Sequence, residues 1–147
     1  MEASLPEHVV EIEQQLRQIA GVVRRRGRSL LEQFGITPPQ FDALIILDKF
    51  GDLTIGELSS RLYLAYSTTT DLVDRLERAG FVVRSRDTAD RRVVLVKLQE
   101  TGHLVIEKVM DARRAYLGGV LESVDESERL QILRVLNLLH ERMHGSD

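Results

Sequence analysis

A charged turn that runs into an alternating apolar strand and then directly into a helix leaves a chain few folds to choose from. Asp90-Arg91-Arg92-Val93-Val94-Leu95-Val96-Lys97-Leu98, closed by Gly102, has that form. Val94, Val96 and Leu98 recur with the period of two that puts them on one face of a strand, which is expected to be the core face. A partner strand is predicted over residues 81–86, joined to the first by Asp87-Thr88-Ala89-Asp90. Just upstream, Thr68 to Arg78 carries Leu72, Val73 and Leu76 at helical spacing and ends at Ala79-Gly80. A short helix followed by a hairpin with arginines at its tip presents a binding surface and not a catalytic pocket.

The flanking sequence is helical. Residues 7–34 place Val9, Ile12, Leu16, Ile19, Val23, Leu30 and Leu31 mainly on one helical face, and Gly21 and Gly27 mark where that helix can kink or break. Thr37-Pro38-Pro39-Gln40 has the residues of a capping box with proline in the first turn, opening a helix that ends at Gly51. Thr54-Ile55-Gly56-Glu57 repeats the capping pattern for a short helix to about Leu62. A long helix is predicted over residues 100–123, and another opens at Asp125-Glu126-Ser127-Glu128. That last helix carries Leu130, Leu133, Leu136, Leu139 and Met143, with Ile132, Val135 and Leu138 on a second face. So broad an apolar surface suits either a subunit interface or a buried core helix.

Composition narrows the function. The 147 residues suffice for one domain with a core. Cysteine is absent, which removes disulfides, thiolate metal sites, Cys nucleophiles and thiol-based redox sensing. No apolar run approaches the length of a membrane span, and Glu2, Glu7 and Glu11 precede any hydrophobic stretch, so neither membrane insertion nor secretion is expected and the cytoplasm is the simplest location. The net charge of −3 excludes a uniformly basic coat. Charge is nonetheless local: Arg84, Arg86, Arg91 and Arg92 face only Asp87 and Asp90 in their segment, while Glu122, Asp125, Glu126 and Glu128 gather elsewhere. A basic edge on an acidic body favours oriented binding to a polyanion.

With Leu72, Val73 and Leu76 turned inward, Ser67, Thr68, Thr70, Asp71 and Asp74 fall near the opposite face of the helix. Short hydroxyl side chains there can lie against a groove floor, although an ordinary solvated face would look similar. Arginines at a hairpin tip can enter a minor groove, where close walls focus negative potential. Asp90 stands two residues from Arg92 and can orient its guanidinium through a charge-assisted pair.

The chain resembles the MarR family of bacterial transcription regulators over nearly its whole length. The resemblance is densest from Thr54 to Gly102, in Ile55-x-x-Leu58, in Leu72-Val73-Asp74-Arg75-Leu76-Glu77 with Gly80, and in Asp90-x-Arg92-x-x-x-Val96-x-Leu98-x-x-x-Gly102. It implies a mainly α fold with a small β-hairpin wing, in which a winged helix-turn-helix is flanked by N- and C-terminal dimerisation helices. The expectation is a single domain over residues 1–147, with the winged helix-turn-helix at about 37–98 and dimerisation helices at about 1–34 and 100–145. It further implies a homodimer on a pseudo-palindromic double-stranded operator, acting as a repressor released by a small-molecule effector. Ser67, Thr68, Thr70 and Asp71 would then lie in the major groove, Arg92 would reach the minor groove with Asp90 orienting it, and Arg84, Arg86 and Arg91 would be near phosphates. Three positions depart from the family pattern: Ala65 in place of a capping serine, Asp71 in place of a basic or small residue, and Gln99 in place of a capping threonine. The acid at Asp71 either accepts from a cytosine amino group or weakens binding.

No cofactor is implied, and no enzyme is expected. His140-Glu141-Arg142-Met143-His144 matches the H-E-x-x-H zinc pattern. No third protein ligand follows it and a terminal helix offers no cleft, so a zinc-dependent hydrolase using His140, Glu141 and His144 is set aside as a chance match. A winged-helix scaffold that binds protein in place of DNA is the remaining alternative. For an effector pocket, the family suggests only that Phe34, Phe41, Tyr63 or Tyr116 could take part; plain core packing is the simpler role of each.

Overall fold

A computed structural model describes residues 4–145. Six helices and one hairpin follow in the order α1 (Glu7–Gln33), α2 (Pro38–Phe50), α3 (Ile55–Leu62), α4 (Tyr66–Arg78), β1 (Val82–Arg86), β2 (Val94–Leu98), α5 (Glu100–Val120) and, after a 3-10 turn at Leu121–Ser123, α6 (Glu126–His144). The chain divides into two compact units, one up to Met110 and one from Asp111 onward.

The helix starts are where side-chain caps satisfy the first-turn donors. Thr37 Oγ1 accepts from the Gln40 backbone N–H while Gln40 Oε1 accepts from that of Thr37, completing the capping box of α2. Thr54 and Asp125 accept in the same way from Glu57 and Glu128, at 3.1 and 2.8 Å, for α3 and α6. Helix α1 runs unbroken through Gly21 and Gly27. A mid-helix glycine costs only about 1 kcal/mol relative to alanine, too little to stop a helix of this length.

The core of the first unit is built from Leu31, Ile36, Phe41, Leu44, Leu47, Leu58, Val73, Leu76, Val82, Val96, Ile106 and Val109, so every element from α1 to the start of α5 contributes to it. Thr69 is the one fully buried polar side chain of α4, and its hydroxyl donates back to the Ala65 carbonyl at 3.0 Å. That back-bond is how a threonine is accommodated without a buried unpaired group.

The hairpin pairs Val82 with Leu98, Arg84 with Val96 and Arg86 with Val94, antiparallel. Its base is anchored twice. Leu53, between α2 and α3, exchanges both backbone hydrogen bonds with Val96 (3.3 and 2.7 Å), adding a third strand for one residue pair. At the other side the Gln99 N–H donates to the Phe81 carbonyl and the Thr101 hydroxyl donates to Gly80. Gly102 sits against this junction: a Cβ there would collide with the Phe81 carbonyl oxygen. The expected inward face of β2 holds only in part. Val96 is fully buried and Leu98 packs on the core, but Val94 is exposed, because beyond Val96 the hairpin has left the body of the unit.

Helix α6 has no buried residue: Leu130, Ile132, Leu133, Val135, Leu136, Leu138 and Met143 are all exposed. In α1, Val9, Val10, Ile12, Ile19, Val22 and Val23 are exposed as well. Among the described residues no helix is long and apolar enough to cross a membrane.

Candidate nucleic-acid interface

Helices α3 and α4 pack on one another around a three-residue turn, Tyr63-Leu64-Ala65. The turn is a Schellman motif: the Leu64 N–H donates to Ser59 O (3.1 Å) and the Tyr63 N–H to Ser60 O (3.3 Å). Leu64 packs on the core, and Ala65 opens α4 without a side-chain cap. Helix α4 thus begins at Tyr66 with no hydroxyl at position 65 to cap it.

On α4, Leu72, Val73 and Leu76 are buried with Thr69, and Ser67, Thr68 and Asp71 are exposed. Thr70 is half-buried and its hydroxyl donates to the Tyr66 carbonyl at 3.1 Å. Its donor is spent within the helix, which leaves its methyl and its acceptor lone pairs for a neighbour.

Arg84, on β1, is not at the edge of the wing. Its guanidinium donates to Asp74 Oδ1 at 2.5 Å and to Glu77 Oε1 at 3.0 Å, and its backbone N–H donates to Glu77 Oε2 at 2.7 Å. Burial works against the charge, but hydrogen bonding and attraction from Asp74, then from Glu77, outweigh it and hold the pKa above the ordinary arginine value. A phosphate approaching Arg84 has two carboxylates to displace. Asp74, which the sequence places on the outward face, is thereby neutralised by a residue of the wing.

The tip is built by two aspartates. Asp87 Oδ1 accepts from the Ala89 N–H (3.1 Å), and Asp90 Oδ1 accepts from the Arg92 N–H (3.1 Å), so each folds the chain two residues on. Asp90 also takes the Arg92 guanidinium with both oxygens, from Nε at 3.1 Å and Nη2 at 3.2 Å. The hydrogen bonds from the Arg92 side chain, then from its backbone, hold the Asp90 carboxyl below its ordinary pKa. The Arg92 side chain is 91% exposed, so the pair aims the arginine without burying it. Arg86 spans the hairpin to donate to the Arg91 carbonyl at 2.8 Å, and Arg91 itself is exposed.

A hydroxyl-lined helix face and a basic tip thus belong to one compact unit, the arrangement of a winged helix. The model of the MarR family matches residues 36–94. The HTH-type transcriptional regulator YsmB of Bacillus subtilis is 48% identical over 122 residues, spanning 83% of this chain and 84% of its own. The chain belongs to the MarR family. A solved MarR family protein from Bacillus stearothermophilus superposes with a TM-score of 0.84 at 48% identity, covering 97% of this chain and 99% of its own. The HTH-type transcriptional repressor MdtR of Bacillus subtilis is 33% identical over 105 residues, 71% of this chain and 68% of its own. Members of this family are transcriptional regulators and not enzymes, and this MarR protein has their winged-helix fold.

Of the side chains considered for other roles, Phe41 is buried and Phe34 half-buried in the core of the first unit, Tyr116 is half-buried in the second, and Tyr63 is 94% exposed, so core packing does not describe it. His140 and His144 face each other on exposed α6, Nε2 to Nε2 at 2.9 Å, and among the described residues no three His, Asp or Glu side chains group closely enough to hold a metal ion. One site escaped the sequence entirely. His103 lies between Asp48 (Nδ1–Oδ1, 3.1 Å) and Glu107 (Nε2–Oε1, 3.2 Å), tying α5 to α2.

Proposed function

We propose that this MarR protein is a homodimeric, sequence-specific repressor in the cytoplasm that holds a pseudo-palindromic operator until a small-molecule effector releases it. Ser67, Thr68, Thr70 and Asp71 read the major groove, Arg92 enters the minor groove in the orientation Asp90 gives it, and Arg86 and Arg91 lie near phosphates. Arg84 acts within the interface by holding wing to helix. The observation that carries this reading is the bidentate Asp90–Arg92 pair at the hairpin tip, with the arginine side chain exposed. Solvent screens an exposed ion pair, so the fold gains little from it, whereas a groove-reading arginine gains a fixed direction. The exposed apolar residues of α1 and α6 support the dimer, and the repressor MdtR among the relatives supports the sign of regulation.

Selection of bound sequences from random duplexes, followed by titration at several salt concentrations, tests the reading. A two-fold symmetric site is expected, with half-sites about one DNA turn apart and affinity that falls steeply with salt. Arg92→Ala should weaken operator binding by about 1–3 kcal/mol without lowering the melting temperature. Wild-type affinity in that variant removes the minor-groove role, and failure to enrich any sequence favours a protein-binding scaffold.

A further inference from the structure

Tyr63 occupies a position that the fold does not want filled by tyrosine. It is the C′ residue of the Schellman turn between α3 and α4, with φ 55° and ψ 38°, in the left-handed region. Glycine is the usual occupant there because any Cβ crowds the backbone in that conformation. Among the described residues it is the one non-glycine residue with positive φ. Strain of this kind is ordinarily offset when the side chain packs, but the Tyr63 side chain packs on almost nothing and is 94% exposed. Neighbouring Leu64 makes the core contact that closes the turn. Three residues on, at the first position of α4, Tyr66 is 63% exposed. Two phenols therefore stand in solvent at the mouth of the recognition helix, immediately before Ser67 and Thr68.

We propose that the hydroxyls of Tyr63 and Tyr66 donate to phosphate oxygens of the DNA, fixing the depth at which α4 enters the groove. The proposal rests on the DNA-binding reading above. A phenol is well suited to such a contact, being a neutral donor on a stiff stem with two torsions, and duplex backbone contacts are routinely made by such groups. It adds no positive charge to a chain whose net charge is −3, so it adds no long-range attraction and acts only once the helix lies against the backbone. Because phosphates are the same in every sequence, these contacts carry register and not base preference.

The left-handed backbone makes the test clean, since Tyr63→Gly relieves the strain while deleting the side chain. The Y63G, Y63F and Y66F proteins are compared with wild type by thermal melting and by anisotropy titration on the selected operator and on a random duplex. Y63G is expected to melt at or above wild type. All three variants should lose operator affinity about tenfold or more, the consequence of one missing hydrogen bond to a charged oxygen, with similar losses on random duplex. A Y63G protein that melts well below wild type overturns the premise that this side chain gives the fold nothing. Wild-type affinity in Y63F and Y66F overturns the phosphate contacts, and a loss confined to the operator overturns their sequence independence. If wild type itself discriminates no duplex, the DNA-binding reading has failed first, and with it the basis of this one.

Discussion

Glu77 holds Arg84 by both its backbone and its side chain: one carboxylate oxygen accepts the peptide N–H at 2.7 Å and the other accepts from the guanidinium at 3.0 Å. With Asp74 on the second guanidinium nitrogen, two acidic side chains of α4 hold the first strand of the wing. Because Arg84 pairs with Val96, the brace holds the wing to α4 at the level of the Leu53–Val96 bridge.

Removing that brace should affect reading more than stability. The three side chains are a quarter to two-fifths exposed, so water screens the pairs. Arg84→Met is expected to cost about 1 kcal/mol in urea denaturation, while operator affinity falls by more than that cost explains. An Arg84→Met protein with wild-type affinity would show that the wing does not need the brace. Arg84→Lys, a point charge that cannot fork between two carboxylates, should rescue only partly.

The Asp90–Arg92 pair should be insensitive to pH across the physiological range. A carboxyl whose folded-state pKa is depressed keeps its pairing at all pH above the ordinary value, and loses it only as pH falls through the depressed one. Carboxyl-detected NMR titration should place the Asp90 midpoint below 3.8, and Arg92→Ala should move it back toward that value. A midpoint at or above 3.8 in the wild-type protein contradicts the pairing. The pH dependence of operator affinity across the neutral range should then carry no contribution from Asp90.

Gly102 gives a prediction with an inverted sign. At a typical helical site alanine in place of glycine stabilises by about 1 kcal/mol. Here the new Cβ meets the Phe81 carbonyl oxygen and, at 2.7 Å, the Leu98 Cδ1, and the carbonyl is itself fixed by the Gln99 N–H. Gly102→Ala is therefore expected to destabilise by about 1–3 kcal/mol, the cost of overpacking a site that cannot yield. Calorimetric melting decides the sign.

For the second unit, the exposed leucines of α6 make the assembly testable. Sedimentation equilibrium of the wild-type protein should report twice the 16.7 kDa chain mass. Leu133→Glu combined with Leu136→Glu places two charges on a face whose apolar residues lie open to water in the single chain, and should yield monomers that keep their helical circular dichroism. A wild-type monomer at micromolar concentration contradicts the homodimer.

The elements were legible because their ends are local chemistry. Thr37, Thr54 and Asp125 declare themselves within four residues of the donors they satisfy, and the period of Leu72, Val73 and Leu76 reports a helix face directly. Asp90 and Arg92 are legible for the same reason, being two residues apart. What sequence could not supply depends on distance along the chain. Arg84 reads as one more basic residue of the wing until Asp74 and Glu77, ten and seven positions earlier on another element, are brought against it. His103 and Asp48 are 55 positions apart. Alternation likewise marked Val94 as inward, since a period of two carries no information about where the body beneath a strand stops. Tyr63 is the reverse case: turn residues are expected to be small, and only its backbone angle shows that a large one is out of place.

The Leu53–Val96 bridge makes the wing a cantilever. Clamped at Val96 and free beyond it, the arm runs through Leu95 and Val94 to the turn that carries Arg92. Thermal motion at the tip then scales with the stiffness of a short two-stranded ribbon and not with opening of the core, so Arg92 can swing with the arm while the core beneath it stays closed. Lengthening that arm by a residue pair would soften it without touching a single contact of the clamp.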